Sequence, residues 1–427
     1  MPDVLTKSNL NRKVSARLTE PYNVMSTFFF RRSVEKAFQL DELPQGLSLN
    51  LNKPIDGNAP YIISAVDDVM YIVSTVLQKS VSTSQKEVVA YVLPSVARIL
   101  GSDFIGMIQR KMRDESYPKP VVQGGMPPED KIVTFIVQIN SLDVSNEYLD
   151  RIVSARLGTG TDEQNGTPQS NSNNSNNPLA AAFPFENDVK FVTTALRTLH
   201  GSFAAKTSEL LADGLQVLFN NVVKLRLRQV MADTFRDADY ALTEEELAEA
   251  AAAAARQGEA ADEDEVLDRV QRQFERGWDA LMKPLARLMT PRSYGSLLDL
   301  TAKHLARVLE KRVWSIGGGG AGGAAAARGG GGAGGSGSGG SRINAYGAIR
   351  MERDFNGIVG VVARGNYALR EVFAKVSQIL MVANMEDEEW EELGGEEGEG
   401  AGGDGDDGMH WVLDEDERRR ARNLVSV

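Results

Sequence analysis

The longest regular pattern in the sequence covers residues 188–235. Apolar residues recur there at alternating spacings of four and three, which places their side chains in one seam along a helix, as in coiled coils. The pattern therefore predicts a long helical rod, and a chain with such a rod must bury the seam against other helices. The seam consists of Leu211, Leu215, Leu218, Val222 and Leu225.

Helical spacing of apolar residues extends over most of the sequence outside three low-complexity stretches. It predicts further helices over residues 22–40, 85–112 and 129–157. The run at 132–137 is rich in β-branched residues and would also suit a strand, but the surrounding spacing favours a helix. Alternating strand and helix units, which would indicate a parallel sheet with a nucleotide crevice, do not occur. The predicted fold class is all-α, built from elongated helical bundles.

The segment 64–77 illustrates how one of these helices is expected to begin. Ser64 and Asp67 have the spacing of a capping box, in which a hydroxyl and a carboxylate accept the unpaired N–H groups of the first turn. Asp68 adds negative charge where the helix dipole favours it. Asp67 and Asp68 could also be imagined as an acid–base pair, but a helix start explains both without a further assumption. We therefore predict Ser64 and Asp67 as helix-cap residues.

Similar start signals occur elsewhere in the sequence. They combine a capping residue with an acidic residue three positions later, or place proline in the first turn, where its missing N–H costs little. Each predicts a helix that begins at that point. The signals are Thr19 with Pro21, Thr243 with Glu246, Thr290 with Pro291, and Asp414 with Glu417.

Three low-complexity stretches divide the chain. Residues 158–184 are crowded with Asn, Ser, Thr and Gly, 317–341 consist almost entirely of Gly, Ala and Ser, and 386–408 are acidic and rich in Gly. Such compositions cannot bury enough apolar surface to pack, so we expect disordered inserts. The sequence then predicts an elongated bundle over 19–316, a linker over 317–341 and a small helical domain over 342–427.

The negative charge of the chain is local. The formal net charge of the 427 residues is -12, and residues 386–407 contain 12 acidic and no basic side chains, so the remainder sums to -12 + 12 = 0. Without a basic excess we expect no nucleic-acid partner. The acidic run is read as a solvated loop or as a docking strip for a basic partner, and the basic residues 418–420 as a solvated helix face or as a contact for anionic lipid.

The sequence gives no positive sign of catalytic chemistry. His200, His304 and His410 lie in separate segments without a second histidine at helical spacing, so no metal site is expected. Two glycine patterns match the dinucleotide fingerprint, beginning at Gly317 and Gly400, but both lie in low-complexity stretches without a preceding strand. We expect no catalytic residue and no cofactor, although a Ser-His-Asp triad assembled only in space stays open.

The cysteine content and the apolar runs of the sequence indicate the cellular compartment. The chain has no cysteine, which fits a reducing compartment. We find no signal-peptide core at residues 1–7 and no run of transmembrane length, and therefore expect the chain on the cytosolic side of a membrane.

Five segments of the sequence, taken in order, form a set of landmarks. They are residues 64–73, 140–148, 347–354, 373–378 and 411–417. Each segment alone is a modest match, but the five in sequence specifically resemble one family, the fourth subunit of the conserved oligomeric Golgi complex. The resemblance covers most of the chain outside the inserts and corresponds to the C-terminal part of that subunit. We therefore expect that an N-terminal portion with coiled-coil assembly contacts is absent from this chain.

The resemblance implies a non-enzymatic role in a helical-rod tethering complex. Such subunits capture recycling vesicles at the Golgi and act with other subunits of the complex, SNARE proteins and a Sec1/Munc18-type regulator. It further implies a peripheral position on the cytosolic face of the Golgi membrane. Retrograde intra-Golgi transport and Golgi organisation depend on this activity.

The sequence departs from the family pattern at two positions. Lys375 and Asn356 stand where the family usually has arginine. Lysine keeps the charge but lacks the planar, two-pronged donor of arginine. We predict that Lys375 pairs with Glu417 and fastens the last domain internally.

Three alternative functions remain. An exocyst-type subunit of another helical-rod tether would differ in its partners. An all-α hydrolase or transferase would need a deep pocket with converging titratable groups. A plain structural scaffold would leave Golgi glycosylation normal when it is deleted.

Overall fold

The computed structural model describes residues 9–55, 57–122, 125–158, 178–236, 238–246, 248–249, 268–317, 343–392 and 410–425. Helices account for nearly all the regular structure in these ranges, and the only β contact among them is an isolated bridge between Ile343 and Val425. The all-α fold class is confirmed.

The α-helices are named in chain order for reference below. They are α1 Asn9–Val14, α2 Glu20–Gln39, α3 Ser64–Ser82, α4 Lys86–Ile99, α5 Ile105–Arg110, α6 Glu129–Leu157, α7 Pro178–Ala182, α8 Glu186–Leu218, α9 Lys224–Thr234, α10 Arg269–Leu288, α11 Pro291–Gly317, α12 Ala345–Val362, α13 Ala374–Asn384, α14 Asp387–Glu392 and α15 Glu415–Arg422.

Several of these helices are joined by short segments with altered hydrogen bonding, so that the helical path continues through them. Four are π-helical turns, and one is a 3-10 segment that leads into α13. The π-helical turns are Ser15–Thr19, Leu100–Phe104, Lys111–Glu115 and Phe219–Val223, and the 3-10 segment is Tyr367–Phe373.

The structure divides into two compact units at positions that differ from the sequence-based division. Unit one contains Met1–Val222 with Lys283–Leu297, and unit two contains Val223–Met282 with Leu298–Val427. The sequence division followed the Gly-rich stretch at 317–341, because composition marks where packing stops but does not show which helices pack together.

Helix α6 lies at the centre of unit one. Sixteen of its 29 residues are buried, and they lie all around the helix. A helix buried on every side has no single apolar stripe, which is why residues 132–137 also suited a strand. The structure confirms the helix. It ends at Gly158, whose positive φ of 71° closes the C-terminus in the left-handed conformation that favours glycine.

The continuous helical stretch Lys86–Glu115 corrects the expectation about transmembrane length. It is long and apolar enough to cross a membrane by length and composition. More than half of its most apolar window is buried inside unit one, as in the core helix of a folded domain. Phe104 in this stretch packs against Phe38 and Phe203, with ring centroids 5.7 and 6.2 Å away.

The three expected inserts lie mostly outside the described residues. The first is shorter than predicted, because 178–184 are described and α7 buries Leu179, followed by buried Phe183. The acidic insert begins with a described helix, α14. Residues 159–177, 318–342 and 393–409 are not described.

Most of the predicted helix starts are confirmed. Asp414 and Glu417 form a complete capping box at α15, Thr243 and Glu246 exchange their predicted hydrogen bonds, and Pro291 is the first residue of α11. Pro21 also lies in a first turn, but there the path is already helical from Asn9.

The capping box predicted at Ser64 and Asp67 is not formed. Ser64 is already the first residue of α3, and the cap position is Ile63, which has no side-chain acceptor. The carboxylate of Asp41 takes that role from a preceding loop, accepting from the backbone N–H of Ala65 at 3.1 Å. Local spacing could not show this, because the capping residue lies more than twenty positions earlier.

Asp41 is also the partner of a partly buried cation. Its carboxylate forms an ion pair with Lys111, and the side chain of Asp41 is 2% exposed. Ser64 instead accepts from the backbone N–H of Glu42 at 2.9 Å, and the charge of Asp67 acts on Tyr148, whose pKa is raised by burial and then by Asp67.

We expect Asp41→Ala to lower the free energy of unfolding by about 2–4 kcal/mol, because it removes the cap of α3 and leaves Lys111 unpaired. Hydrogen exchange of the amides of Ser64–Ser82 measures the change. Asp67→Ala is the matched control and should cost less than about 1 kcal/mol. Equal effects of the two substitutions would contradict the assignment of the cap to Asp41.

Candidate functional site

A cavity of about 680 Å³ opens on unit one where α6, the loop before α3 and the link between α10 and α11 meet. Its wall contains apolar residues and several charged side chains. A cavity of this kind is one feature of a binding or catalytic site. The contacts of its polar side chains show which of these roles they could serve. The residues that matter for the argument are Tyr61, Asn140, Asp143, Glu147, Thr290 and Arg292.

Asn140 joins three segments of backbone. Its side-chain amide donates to the carbonyl oxygens of Tyr61, at 3.1 Å, and Leu288, at 2.7 Å. Its oxygen accepts from the backbone N–H of Thr290, at 3.0 Å. A buried amide is costly unless it is paired. Here the pairs fix the end of α10 and the start of α11 against α6.

Asp143 lies one turn further along α6 and holds the first turn of α11. Its carboxylate accepts from the hydroxyls of Thr290, at 2.5 Å, and Ser293, at 3.3 Å. The guanidinium of Arg292 lies 3.9 Å away. A carboxylate at a helix N-terminus also interacts favourably with the helix dipole. The charge of Asp143 therefore stabilises a helix start.

The remaining charges in the cavity wall are similarly engaged. Glu147 forms an ion pair with Arg151, one turn along the same helix, and Arg287 donates to the backbone carbonyls of Asn50 and Leu51. The described wall contains no histidine or cysteine that would activate a nucleophile. The charged side chains of this cavity thus have partners within the protein.

The histidines are separate, as the sequence predicted. His200 lies 3.6 Å from Asp150, and His410 uses its backbone carbonyl to accept from Gln378. Burial, followed by nearby cations, lowers the pKa of His304. No group of three potential metal-ligating side chains occurs among the described residues.

In unit two, the structure brings Lys375 and Glu417 together. The ammonium group of Lys375 forms an ion pair with Glu417 and lies 3.2 Å from Glu310, which sequence reasoning did not single out. The hydrogen bond to Glu417 is the main cause that raises the pKa of Lys375. A lysine with a raised pKa adds stability below its ordinary pKa, and this contribution is lost as pH rises through the raised value.

A second polar pair connects α12 to Tyr240. The hydroxyl of Tyr240 donates to the carboxylate of Asp354 at 2.8 Å, and both side chains are buried. Burial raises the pKa of Asp354 to about 6 and raises the pKa of Tyr240 further above its ordinary value. The guanidinium of Arg312 stacks on Phe235, 3.9 Å from the ring centroid. Asp354 lies in one of the segments that carry the family resemblance, but its spacing gave no sign of this partner.

These contacts define a helical-bundle protein that uses its buried polar and charged side chains to join helices. The chain belongs to the family of conserved oligomeric Golgi complex subunit 4. The family model for the C-terminal part matches residues 135–420, and the model for the middle alpha-helical bundle matches residues 1–112.

Curated relatives agree with this assignment. A conserved oligomeric Golgi complex subunit 4 of Arabidopsis thaliana is 25% identical over 389 residues, which cover 89% of this chain and 42% of that protein. The proteins of the same description from Saccharomyces cerevisiae and Drosophila melanogaster are 21% and 23% identical, over 69% and 73% of this chain and 30% and 36% of their own lengths. The chain thus spans less than half of each of these relatives. No solved structure gives a significant match.

The role of the Lys375 ion pair is tested by Glu417→Gln, which keeps an oxygen for the capping box but removes the charge. We expect a loss of about 0.5–1 kcal/mol in the stability of unit two, since the pair is partly exposed to solvent. Glu417→Ala should cost about 1–2 kcal/mol, because the capping box is lost as well. All four tryptophans lie in unit two, so their fluorescence during urea unfolding reports on it.

Glu310→Gln is the matched control for this pair, because it removes the other carboxylate without touching the capping box. Each carboxylate holds Lys375 when the other is absent, so we expect the double substitution to cost more than the sum of the single ones. A strictly additive result with no loss from Glu417→Gln would show that Lys375 does not fasten this domain.

Asp354→Asn tests the cost of the buried carboxylate. The folded pKa of about 6 exceeds the ordinary value of 3.8, so the folded state binds more protons between these values and stability falls as pH rises through this window. The side-chain oxygen of asparagine can still accept the hydrogen bond from Tyr240, but it carries no charge. We expect the variant to be more stable than the parent by about 1–3 kcal/mol at pH 7.5 and equal to it near pH 4.

Urea unfolding followed by tryptophan fluorescence at both pH values measures the difference between parent and variant, in which the titration of all other groups cancels. Asp299→Asn, at an exposed pair with Lys303, is the control and should show no such dependence. A difference that is the same at both pH values would contradict the raised pKa.

Proposed function

We propose that this chain is part of a non-enzymatic subunit of the Golgi vesicle-tethering complex. In this role it supports retrograde intra-Golgi vesicle transport, Golgi organisation and SNARE-dependent fusion. Its family membership supports the proposal, because its relatives are subunits of a conserved oligomeric Golgi complex. The partners are other subunits of the complex, SNARE proteins and a Sec1/Munc18-type regulator, and the location is the cytosolic face of the Golgi membrane.

An exposed apolar face near the start of unit one is the structural observation that carries this proposal. Five large apolar side chains between α1 and the middle of α2 are each more than half exposed. We call them the apolar stripe. It consists of Leu18, Val24, Met25, Phe28 and Phe29.

The apolar stripe is separate from the residues that α2 uses to pack inside unit one. Phe30, Val34 and Phe38 are buried on the other side of the helix, so the internal core is complete without the stripe. A contiguous exposed apolar patch is costly in water and marks an interaction surface. The proposed occupant is an amphipathic helix of another subunit of the complex.

Helical spacing within the stripe suits such an occupant. Leu18, Met25 and Phe29 are separated by seven and four positions, the spacing of anchor residues in a helix-to-helix contact. Arg32 and Lys36 continue along the same depression, which has a volume of about 570 Å³, and supply a polar rim. Aromatic and methionine anchors inside a polar rim are typical of protein interfaces.

The apolar stripe predicts the outcome of co-purification with the other subunits. We expect Met25→Asp with Phe28→Asp to reduce recovery of those subunits by at least about tenfold, because burying two carboxylates at the interface loses more than about 1.4 kcal/mol. Tyr71→Asp, at a similarly exposed aromatic residue of the same unit, is the control and should leave recovery unchanged. Circular dichroism verifies that each variant is folded.

An unchanged recovery with the Met25 and Phe28 variant would show that the apolar stripe is not the subunit contact. Recovery of plasma-membrane tether subunits in place of Golgi ones would instead support the exocyst-type alternative. The enzyme alternative has less support, because Asp143 at the cavity beside α6 holds the start of α11 and Glu147 pairs with Arg151 on α6.

A further inference from the structure

Unit two carries a cluster of cationic side chains on two neighbouring helices, α9 and α11. The guanidinium of Arg312 on α11 stacks on Phe235 at the C-terminal end of α9, so these helices contact each other. Cations of both helices add to the effect of burial in lowering the pKa of His304, in agreement with this helix contact. We call these residues the basic strip. It consists of Lys224, Arg228, His304, Arg307 and Lys311.

Helical geometry aligns the basic strip. Lys224 and Arg228 are one turn apart on α9, and His304, Arg307 and Lys311 follow each other at spacings of three and four on α11. The α11 row is about 10 Å long at 1.5 Å per residue. His304 is half-buried, whereas Arg307 and Lys311 further along the row are exposed.

The charge of the strip is not balanced within the described part of the chain. Lys224, Arg228, Arg307 and Lys311 make no ion pair among the described residues. Two neighbouring lysines of unit two show the contrast, since Lys303 pairs with Asp299 and Lys375 pairs with Glu310. After burial, the four cations are the further causes that lower the pKa of His304. Repulsion of this kind costs stability unless a bound anion relieves it.

The chemistry of the occupant follows from the surroundings of the strip. Within 224–234 and 298–311, no large apolar side chain is exposed that could insert into a bilayer. Two adjoining helix rows with cations at one-turn spacing match carboxylates at the same spacing on a third helix. We propose that the basic strip binds an acidic helical segment of a partner protein, with carboxylates that recur every three or four residues.

A synthetic peptide tests this surface directly. The probe is a labelled 18-residue peptide of Glu, Ala and Gln in which the glutamates lie on one helical face, and its binding to the full chain is measured by fluorescence anisotropy. We expect Arg307→Glu with Lys311→Glu to weaken binding about 10- to 100-fold, because two attractive contacts become repulsive. Both residues are exposed, so the fold should persist.

Two matched controls separate the strip from general charge. Arg226→Glu with Arg276→Glu makes the same change in net charge at exposed positions of unit two and should alter affinity less than about twofold. A peptide of identical composition with glutamates spread around the helix should bind the parent chain about fivefold more weakly. Equal loss in the two double variants, or equal binding of the two peptides, would overturn the proposal.

The pKa of His304 is a second measurement, and it would not change with peptide if the basic strip had a purely structural role. Burial and, after it, the nearby cations lower the pKa of His304, so carboxylates of the bound peptide that offset these cations should raise that pKa, as measured by histidine nuclear magnetic resonance. The resonances of His200 and His410 are the controls and should not respond to the peptide. An unaltered His304 pKa at saturating peptide would place the peptide elsewhere and contradict the proposal.

Two other occupants are distinguished in the same experiment. The strip would be assigned to a membrane if the parent chain bound vesicles with phosphatidylserine but not the peptide, and if the Arg307 and Lys311 variant did not bind these vesicles. A gain in peptide affinity of more than about tenfold after replacing the 12 acidic residues of 386–407 by neutral ones would show that this chain's own acidic run occupies the strip. Either result would overturn the proposal of a partner protein.

Discussion

The buried hydrogen bonds of Asn140 are the constraint on which unit one depends. The side chain pairs with the backbone at Tyr61, Leu288 and Thr290, and so ties a loop and a helix junction to the central helix α6. Apolar packing alone tolerates small shifts of one helix along another, whereas a buried amide loses its partners when the register changes. Asp143 adds the same kind of restraint to the first turn of α11.

Unit two uses charged groups for the same purpose. Lys375 lies between Glu417 and Glu310, and Asp354 is held by Tyr240. All the segments that carry the family resemblance contain a residue of one of these joints or, at Ser64, of the Asp41-capped helix start. The resemblance thus falls on residues that fix helix positions, which is consistent with a protein whose function depends on the relative placement of its surfaces.

The two proposed surfaces differ in chemistry and therefore in the partners they select. The apolar stripe offers large exposed apolar side chains, and their burial would give a stable contact between subunits. The basic strip on α9 and α11 offers charge without exposed apolar groups, so its contact would be sensitive to salt and would form rapidly.

The sequence by itself determined the all-α class, most helix starts and the family, because apolar periodicity, local capping such as Asp414 with Glu417, and ordered landmarks are all properties of short segments. It also suggested Lys375 with Glu417. Only the tertiary structure decided that Asp41 caps α3 in place of Asp67, that Glu310 joins Lys375, and that the units divide near residues 222 and 282. These features join residues distant in sequence, and neither composition nor spacing along the chain records such contacts.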